Sequence, residues 1–312
     1  MASSELGVVL AHEHVVLDFF ESHGPDDPNP YHYQLPGIEL MAPDLKEAAA
    51  SGPATVVSVT NAPMGRDIGA LRAISEASGV NVVASTGYYT RWASPQIDDA
   101  SALTDNMVAE LTKGIEGTDV RAGVIGEIGS VSAIPSDFEY RLFKAAAEAH
   151  HATGAPITTH THGGQYALWQ LNTLTQHGVP SSRVIIGHLD DPVWLLDGKA
   201  PDLDLLVRLA DRGAYIAFDC VGVTDYGHWV GRPEPTDRDR AWAVTRLVER
   251  GYSDHIILSH DVARPQDLKV NGGPGHGHIE QNFLPYLEQF GISPEVSRKF
   301  ISDNPRRWLT GE

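Results

Sequence analysis

Six residues able to bind divalent metal ions follow short apolar runs spread along this chain. They are His12 and His14 in VVLAHEH, Glu127 in AGVIGEIGS, His160 in APITTHTH, His188 in RVIIGHLDD and Asp261 in HIILSHDVA. Four imidazoles and two carboxylates are the inventory that two divalent ions need. His12 and His14 are two residues apart, so on a strand both face the same way and can share one ion. His160 and His188 end consecutive strand-like runs and can share a second. A carboxylate has two oxygens, so Glu127 can bridge the pair. Asp261 can bind one ion through one oxygen and accept a proton from bound water. A water held between two cations loses its proton near neutral pH, and the more exposed cation polarises a carbonyl or phosphoryl oxygen. Asp190 and Asp191, just after His188, either pass that proton on or cap the turn that follows.

Ligands this far apart meet only in a closed architecture. Strand-like runs are predicted at Gly7–Leu10, Thr55–Thr60, Val80–Thr86, Gly123–Glu127, Pro156–His160, Val184–His188, Ala214–Asp219 and Ile256–Ser259. Helical patterns lie between them. Ser136–Thr153 opens with a capping box of Ser136 and Glu139. Gln165–His177, Asp202–Arg212 and Asp237–Arg250 each run into a glycine, the usual helix stop. Alternating strand and helix signals with eight strands predict an α/β fold, a (β/α)8 TIM barrel forming a single domain over residues 1–312. Such a barrel ends all its strands at one face, where the active site lies. Phe20–Pro36 and Ala263–His278 read as long loops on that face.

The 312 residues carry 23 basic and 41 acidic side chains, a formal net charge of −18. With no basic run, nucleic acid is not an expected partner. The only cysteine, Cys220, cannot form an intramolecular disulfide, and it reads as a small buried hydrophobe. The start, MASSELGVVLAHEH, lacks a basic segment and an apolar stretch of signal-peptide length. No run approaches the ~20 apolar residues of a membrane span. A cytoplasmic protein is expected, without membrane association.

Taken in order, HEH, GEIG, TTHTH, GHLDD, SHD and DNPRRWL resemble the phosphotriesterase-related branch of the amidohydrolase superfamily, over essentially the whole length. The resemblance implies a hydrolase with His12, His14 and Asp261 around a buried ion and His160 and His188 at an exposed one. Glu127 stands where the best-studied members carry a carboxylated lysine, and the NGGPGHGH loop also looks like that of the glutamate-bridged subgroup of homology proteins. The shorter bridge argues for hydrolysis of a lactone, carboxylic ester or amide. A phosphotriester substrate and a non-catalytic metal-binding role are the alternatives. Zinc suits these ligands; manganese, cobalt or iron would also bind. Barrels of this kind often form homodimers.

Specificity should come from the loops after the strands. Tyr88, Tyr89, Arg91 and Trp92 follow the third strand, with Arg91 placed to clamp an anionic group on a small-molecule substrate. Tyr226, His228 and Trp229 follow the seventh, and Arg264 the eighth. His276 and His278 form a second HxH in a glycine-rich loop and read as lid or substrate contact. His162 reads as a neighbour of His160 and not a ligand. GxxGxxG at Gly123, Gly126 and Gly129 lacks the dinucleotide spacing, and no G-x-S-x-G is present.

Overall fold

Eight apolar runs pair side by side, in sequence order and all parallel, in a computed structural model of the chain. The structure describes residues 2–18, 35, 37–90, 97, 99–130, 134–162, 164, 166–190, 202–223 and 235–312. The strands are β1 Val8–Glu13, β2 Pro53–Ser58, β3 Asn81–Thr86, β4 Val124–Gly129, β5 Ile157–His160, β6 Val184–Ile186, β7 Tyr215–Phe218 and β8 Ile256–Leu258. Between and after them lie α1 Ile38–Ala49, α2 Ile68–Ser78, α3 Ala100–Thr112, α4 Asp137–Thr153, α5 Ala167–Gln176, α6 Leu203–Ala210, α7 Asp237–Glu249, α8 Leu284–Gln289, α9 Pro294–Lys299 and α10 Asp303–Thr310. This is the expected (β/α)8 barrel. No described helix is long and apolar enough to cross a membrane.

Local chemistry explains the helix ends. The Ser136 hydroxyl accepts from the Glu139 N–H while the Glu139 carboxylate accepts from the Ser136 N–H, so α4 starts with two satisfied donors. It stops at Gly154, whose φ of +75° suits a residue without a side chain.

The core has two parts. Between strands and helices lies a large layer containing Leu10, Val56, Ile125, Phe143, Ile186 and Phe218. Inside the barrel, Val9, Ala11, Val57, Val59, Val124, Ile185, Ala217 and Ile257 pack with Trp308 of α10. Trp308 is fully buried and donates its indole N–H to the Ile157 carbonyl at 3.2 Å. The segment before α10 is held at the base of the seam: the Val9 N–H donates to Ile301 O and the Leu258 N–H to Phe300 O. At the other end of the seam the Asp261 N–H donates to His12 O at 3.2 Å. The barrel is thus nearly closed between β8 and β1, with a floor at the strand N-termini and the candidate ligands at the C-termini.

The Ala263–His278 stretch is packed. It contains turns at Pro265–Asp267 and Lys269–Asn271, and His276 is 1% exposed. The His276 ring Nδ1 lies 2.7 Å from Asp44 Oδ2 of α1, and His278 Nε2 lies 2.7 Å from Asp237 Oδ2 of α7. Reading this loop as a mobile lid is therefore corrected for His276, whose ring is locked against α1. Of the other expected loop, Phe20–Pro36, only Leu35 is described.

Candidate active site

The six expected ligands converge at the strand C-termini. His12 lies in β1 and His14 just beyond it, Glu127 in β4, and His160 ends β5. His188 and Asp261 follow β6 and β8 in left-handed turns, each with φ +52°. Non-glycine residues in that region are uncommon and cluster at functional sites. Glycines bring two of the ligands in. A Cβ on Gly126 would sit 2.2 Å from Thr158 O, and one on Gly187 would sit 2.2 Å from Thr159 O. The glycine before Glu127 and before His188 lets each backbone press against β5.

Glu127 is the hub. Its Oε2 lies 3.0 Å from His160 Nδ1, 3.3 Å from His188 Nε2 and 3.4 Å from His12 Nε2, while Oε1 lies 3.4 Å from His14 Nε2. Asp261 Oδ1 lies 3.3 Å from His14 Nε2 and 3.8 Å from His12 Nε2. Burial penalises the charge on Glu127, yet His160 and His12 outweigh it and hold the carboxyl well below its usual range. Burial likewise opposes protonation of His14, but Asp261 and Glu127 push it up to about 9.

The sequence reading missed Asp219, just past β7. Its carboxylate accepts from the His188 N–H at 3.0 Å, lies 3.0 Å from His188 Nδ1 and lies 3.3 Å from His12 Nδ1. It turns both imidazoles so that Nε2 faces Glu127, the arrangement by which carboxylates orient metal-ligating histidines. The signal was an acid ending the apolar run AYIAFDC, in the position that His188 occupies after its own run.

Divalent ions fit this donor set. Ligand atoms of His12, His14 and Asp261 lie within 4.8 Å of one another, and so do those of His12, Glu127 and His188. Both ring nitrogens of His12 are buried and neither makes a well-aligned hydrogen bond: Nδ1 has the Asp219 carboxylate at 3.3 Å and Nε2 has Glu127 at 3.4 Å. Burying an imidazole this way is costly unless something else binds it. His160 joins neither group. Its Nε2 lies 3.0 Å from the Tyr89 hydroxyl, and its ring packs 4.3 Å from that of His188.

Other expectations are corrected. Tyr88 packs into the outer core and its hydroxyl accepts from Asn106 of α3 at 3.1 Å, so it turns away from the site while Tyr89 turns in. Asp190 is fully buried, accepts the N–H groups of Asp219 and Cys220, and pairs with Arg240 Nε at 2.7 Å. With its oxygens so occupied it braces the end of β7 and has no exposed surface. Arg264 is 1% exposed and pairs with Asp267, Nη2 to Oδ1 being 2.7 Å, so it helps stitch its own loop. Cys220 is buried, with its thiol pushed well up by burial, as its reading as a small hydrophobe expects. His162 lies beside His160, ring centroids 5.2 Å apart; burial and the His160 and His188 charges lower it to about 3. Asp191, Arg91, Trp92, Tyr226, His228 and Trp229 lie outside the described residues.

Known proteins share this fold. The family model described as "Phosphotriesterase family" matches residues 1–309. The phosphotriesterase homology protein of Escherichia coli (strain K12) is 33% identical, covering 99% of this chain and 100% of its own. Its crystal structure with phosphate in the active site superposes with a TM-score of 0.87, covering 98% of this chain and 99% of that one. N-acetyltaurine hydrolase of Rattus norvegicus is 29% identical over 98% of this chain and 95% of its own. A lactonase from Listeria monocytogenes is 27% identical with a TM-score of 0.85, over 100% of this chain and 97% of that one. With the family model matched nearly end to end and a full-length relative at 33% identity, the chain belongs to the phosphotriesterase family.

Proposed function

We propose that the protein is a binuclear metal-dependent hydrolase that cleaves a carbonyl compound: a lactone, a carboxylic ester or an N-acyl amide. The observation that carries this is Glu127, whose one carboxylate lies within 3.4 Å of four imidazoles, His12, His160 and His188 at Oε2 and His14 at Oε1. His12, His14 and Asp261 would hold one ion and His160 and His188 the other, with the Glu127 carboxylate shared between them. Zinc is the natural occupant, with manganese, cobalt or iron as substitutes. When bound, such ions acidify water and polarise the bond to be broken. The Tyr89 hydroxyl, 3.0 Å from His160 Nε2, would stand beside the ion that His160 holds. Asp261, at the rim of the cluster, accepts the proton. Asp219 keeps His12 and His188 in the tautomer with Nε2 free. Asp191 relays the proton outward, and Arg91, Tyr226 and His228 contact a small substrate with an anionic group.

The likeness to N-acetyltaurine hydrolase supports the amide class and the likeness to a lactonase the lactone class. The phosphate in the active site of the Escherichia coli relative keeps a phosphotriester as the second reading. We place the protein in the cytoplasm, on its single cysteine, and expect a homodimer. The net charge of −18 argues against a nucleic-acid partner.

The test is hydrolysis by zinc-loaded protein, followed with a pH indicator, across lactones, carboxylic esters, N-acyl amino acids and one phosphotriester, each with a chelated control. Chelator-sensitive turnover of one carbonyl class is the expected result. Turnover of the phosphotriester alone would favour the second reading. Two bound ions with no turnover of any substrate would leave a binding role.

A further inference from the structure

Glu13 stands between His12 and His14 in β1, so its side chain leaves the strand on the opposite face. It is fully buried. Four donors converge on it. Oε1 accepts from the Ser259 hydroxyl at 2.7 Å and the His260 N–H at 2.8 Å, and lies 3.0 Å from His260 Nδ1. Oε2 accepts from the Val262 N–H at 3.0 Å. The two backbone donors flank Asp261, the ligand held at φ +52°. Ser259 completes a ring, since its Oγ also accepts from the His12 N–H at 3.0 Å.

We propose that Glu13 is a positioning residue: its carboxylate fixes the 259–262 turn in the shape that presents Asp261 to His12 and His14, and so sets the affinity of that group for its ion. This rests on the metal-site reading given above.

The tautomer of His260 follows from its partners. Its Nε2 accepts from the Ile279 N–H at 3.1 Å, so Nδ1 carries the proton and donates to Glu13. All four groups around Glu13 are therefore donors, and only a carboxylate accepts from all of them without presenting a donor of its own. His276 stands behind, its Nε2 3.9 Å from Glu13 Oε2 and its Nδ1 on Asp44. A glutamine at position 13 would offer one acceptor oxygen, and its amide would meet either the Val262 N–H or the Ser259 and His260 donors. The turn would loosen on the side that carries Asp261. His160 and His188 take no part in this ring of bonds, although His188 Nδ1 lies 3.9 Å from Asp261 Oδ2.

The experiment is zinc titration of metal-free wild type and Glu13→Gln, competed against a chromophoric chelator, with no substrate present. Wild type should bind two ions in resolvable steps. In Glu13→Gln one step should weaken about ten- to a hundredfold, the usual cost of losing an outer partner of a ligand, and the other should hold. Two steps equal to wild type would overturn the proposal. Equal weakening of both would also overturn it, because it would mean a general loss of structure. Wild type that binds fewer than two zinc ions would instead sink the binuclear reading, and this proposal with it. Circular dichroism checks folding. If Glu13→Gln does not fold, Ser259→Ala carries the test: it breaks the link from His12 to Glu13 and should weaken the same step roughly tenfold. An unchanged titration there would overturn the proposal.

Discussion

Glu127 faces four imidazoles through two oxygens, so no other residue type of similar size could replace it. An alanine there removes the shared acceptor and leaves the rings mutually repelling when charged. Glu127→Ala should lose both bound ions on dialysis and lose turnover, read by elemental analysis and the indicator assay. Full metal and full rate would refute the bridge. Asp219 acts one step further out. Asp219→Asn keeps the shape but offers one acceptor where three groups of His12 and His188 converge. Zinc affinity should fall by about ten- to a hundredfold with the native circular-dichroism spectrum retained; an unchanged affinity would count against an orienting role. The candidate ligands were legible because each ends an apolar run, and two follow a glycine. Asp219 was passed over as a strand end, since an acid after one apolar run carries no mark of its partners. Glu13 was hidden by the histidines beside it, though a charge inside a buried strand always demands donors.

At the scale of elements, the periodic signals were reliable and the loop signals were not. The eight predicted strands and the capping box of α4 reflect burial and hydrogen-bonding rules that act within a few residues. NGGPGHGH has the composition of a flexible segment, yet long-range contacts decide its state: the Asp44 carboxylate accepts from His276 N and Lys269 N and meets the His276 ring. The same contacts predict acid behaviour. Burial alone would raise Asp44, but the His276 ring and N–H bring it down to about 2 from 3.8. A carboxyl depressed on folding stabilises the fold above its unfolded pKa, and that stability fades as pH falls from 3.8 toward 2. The difference amounts to about 2 kcal/mol. Asp44→Asn should cost about that much in urea unfolding at pH 6, with the gap from wild type closing below pH 4. A gap independent of pH would mean the carboxylate charge is not what holds the loop. Gly187→Ala tests the approach of β6 to β5. Its Cβ would meet Thr159 O, so the turn carrying His188 must shift, and both zinc affinity and thermal midpoint should drop.

Across the whole molecule, stability and function sit at opposite ends of the barrel. Trp308 fills the floor, and Trp308→Ala should cost about 3–5 kcal/mol in chemical denaturation. A cost below 1 kcal/mol would show that the floor is not a packed core. The loaded metal site should add to this, because ions that bind only the folded chain raise its apparent stability. Chelation should therefore lower the thermal midpoint of wild type, and lower that of Glu127→Ala much less. The barrel topology was legible from the alternation of elements. Its seam was not, because the bonds joining β1 to the turn after β8 link residues about 250 apart and leave no local pattern.

That seam bears on how the protein is made. A ribosome delivers the chain from its amino end, so His12, Glu13 and His14 emerge long before Ser259, Asp261 and Trp308. Until then Glu13 is an unpaired acid on an open sheet edge, and the histidine pair has no aspartate to complete its ligand group. Contacts between such distant parts of a chain form late. The nascent chain therefore carries His12 and His14 for nearly the whole of translation, and five of its six candidate ligands once His188 is made, before Asp261 can complete the cage, so secure loading awaits the synthesis of the last strand and the floor beneath it.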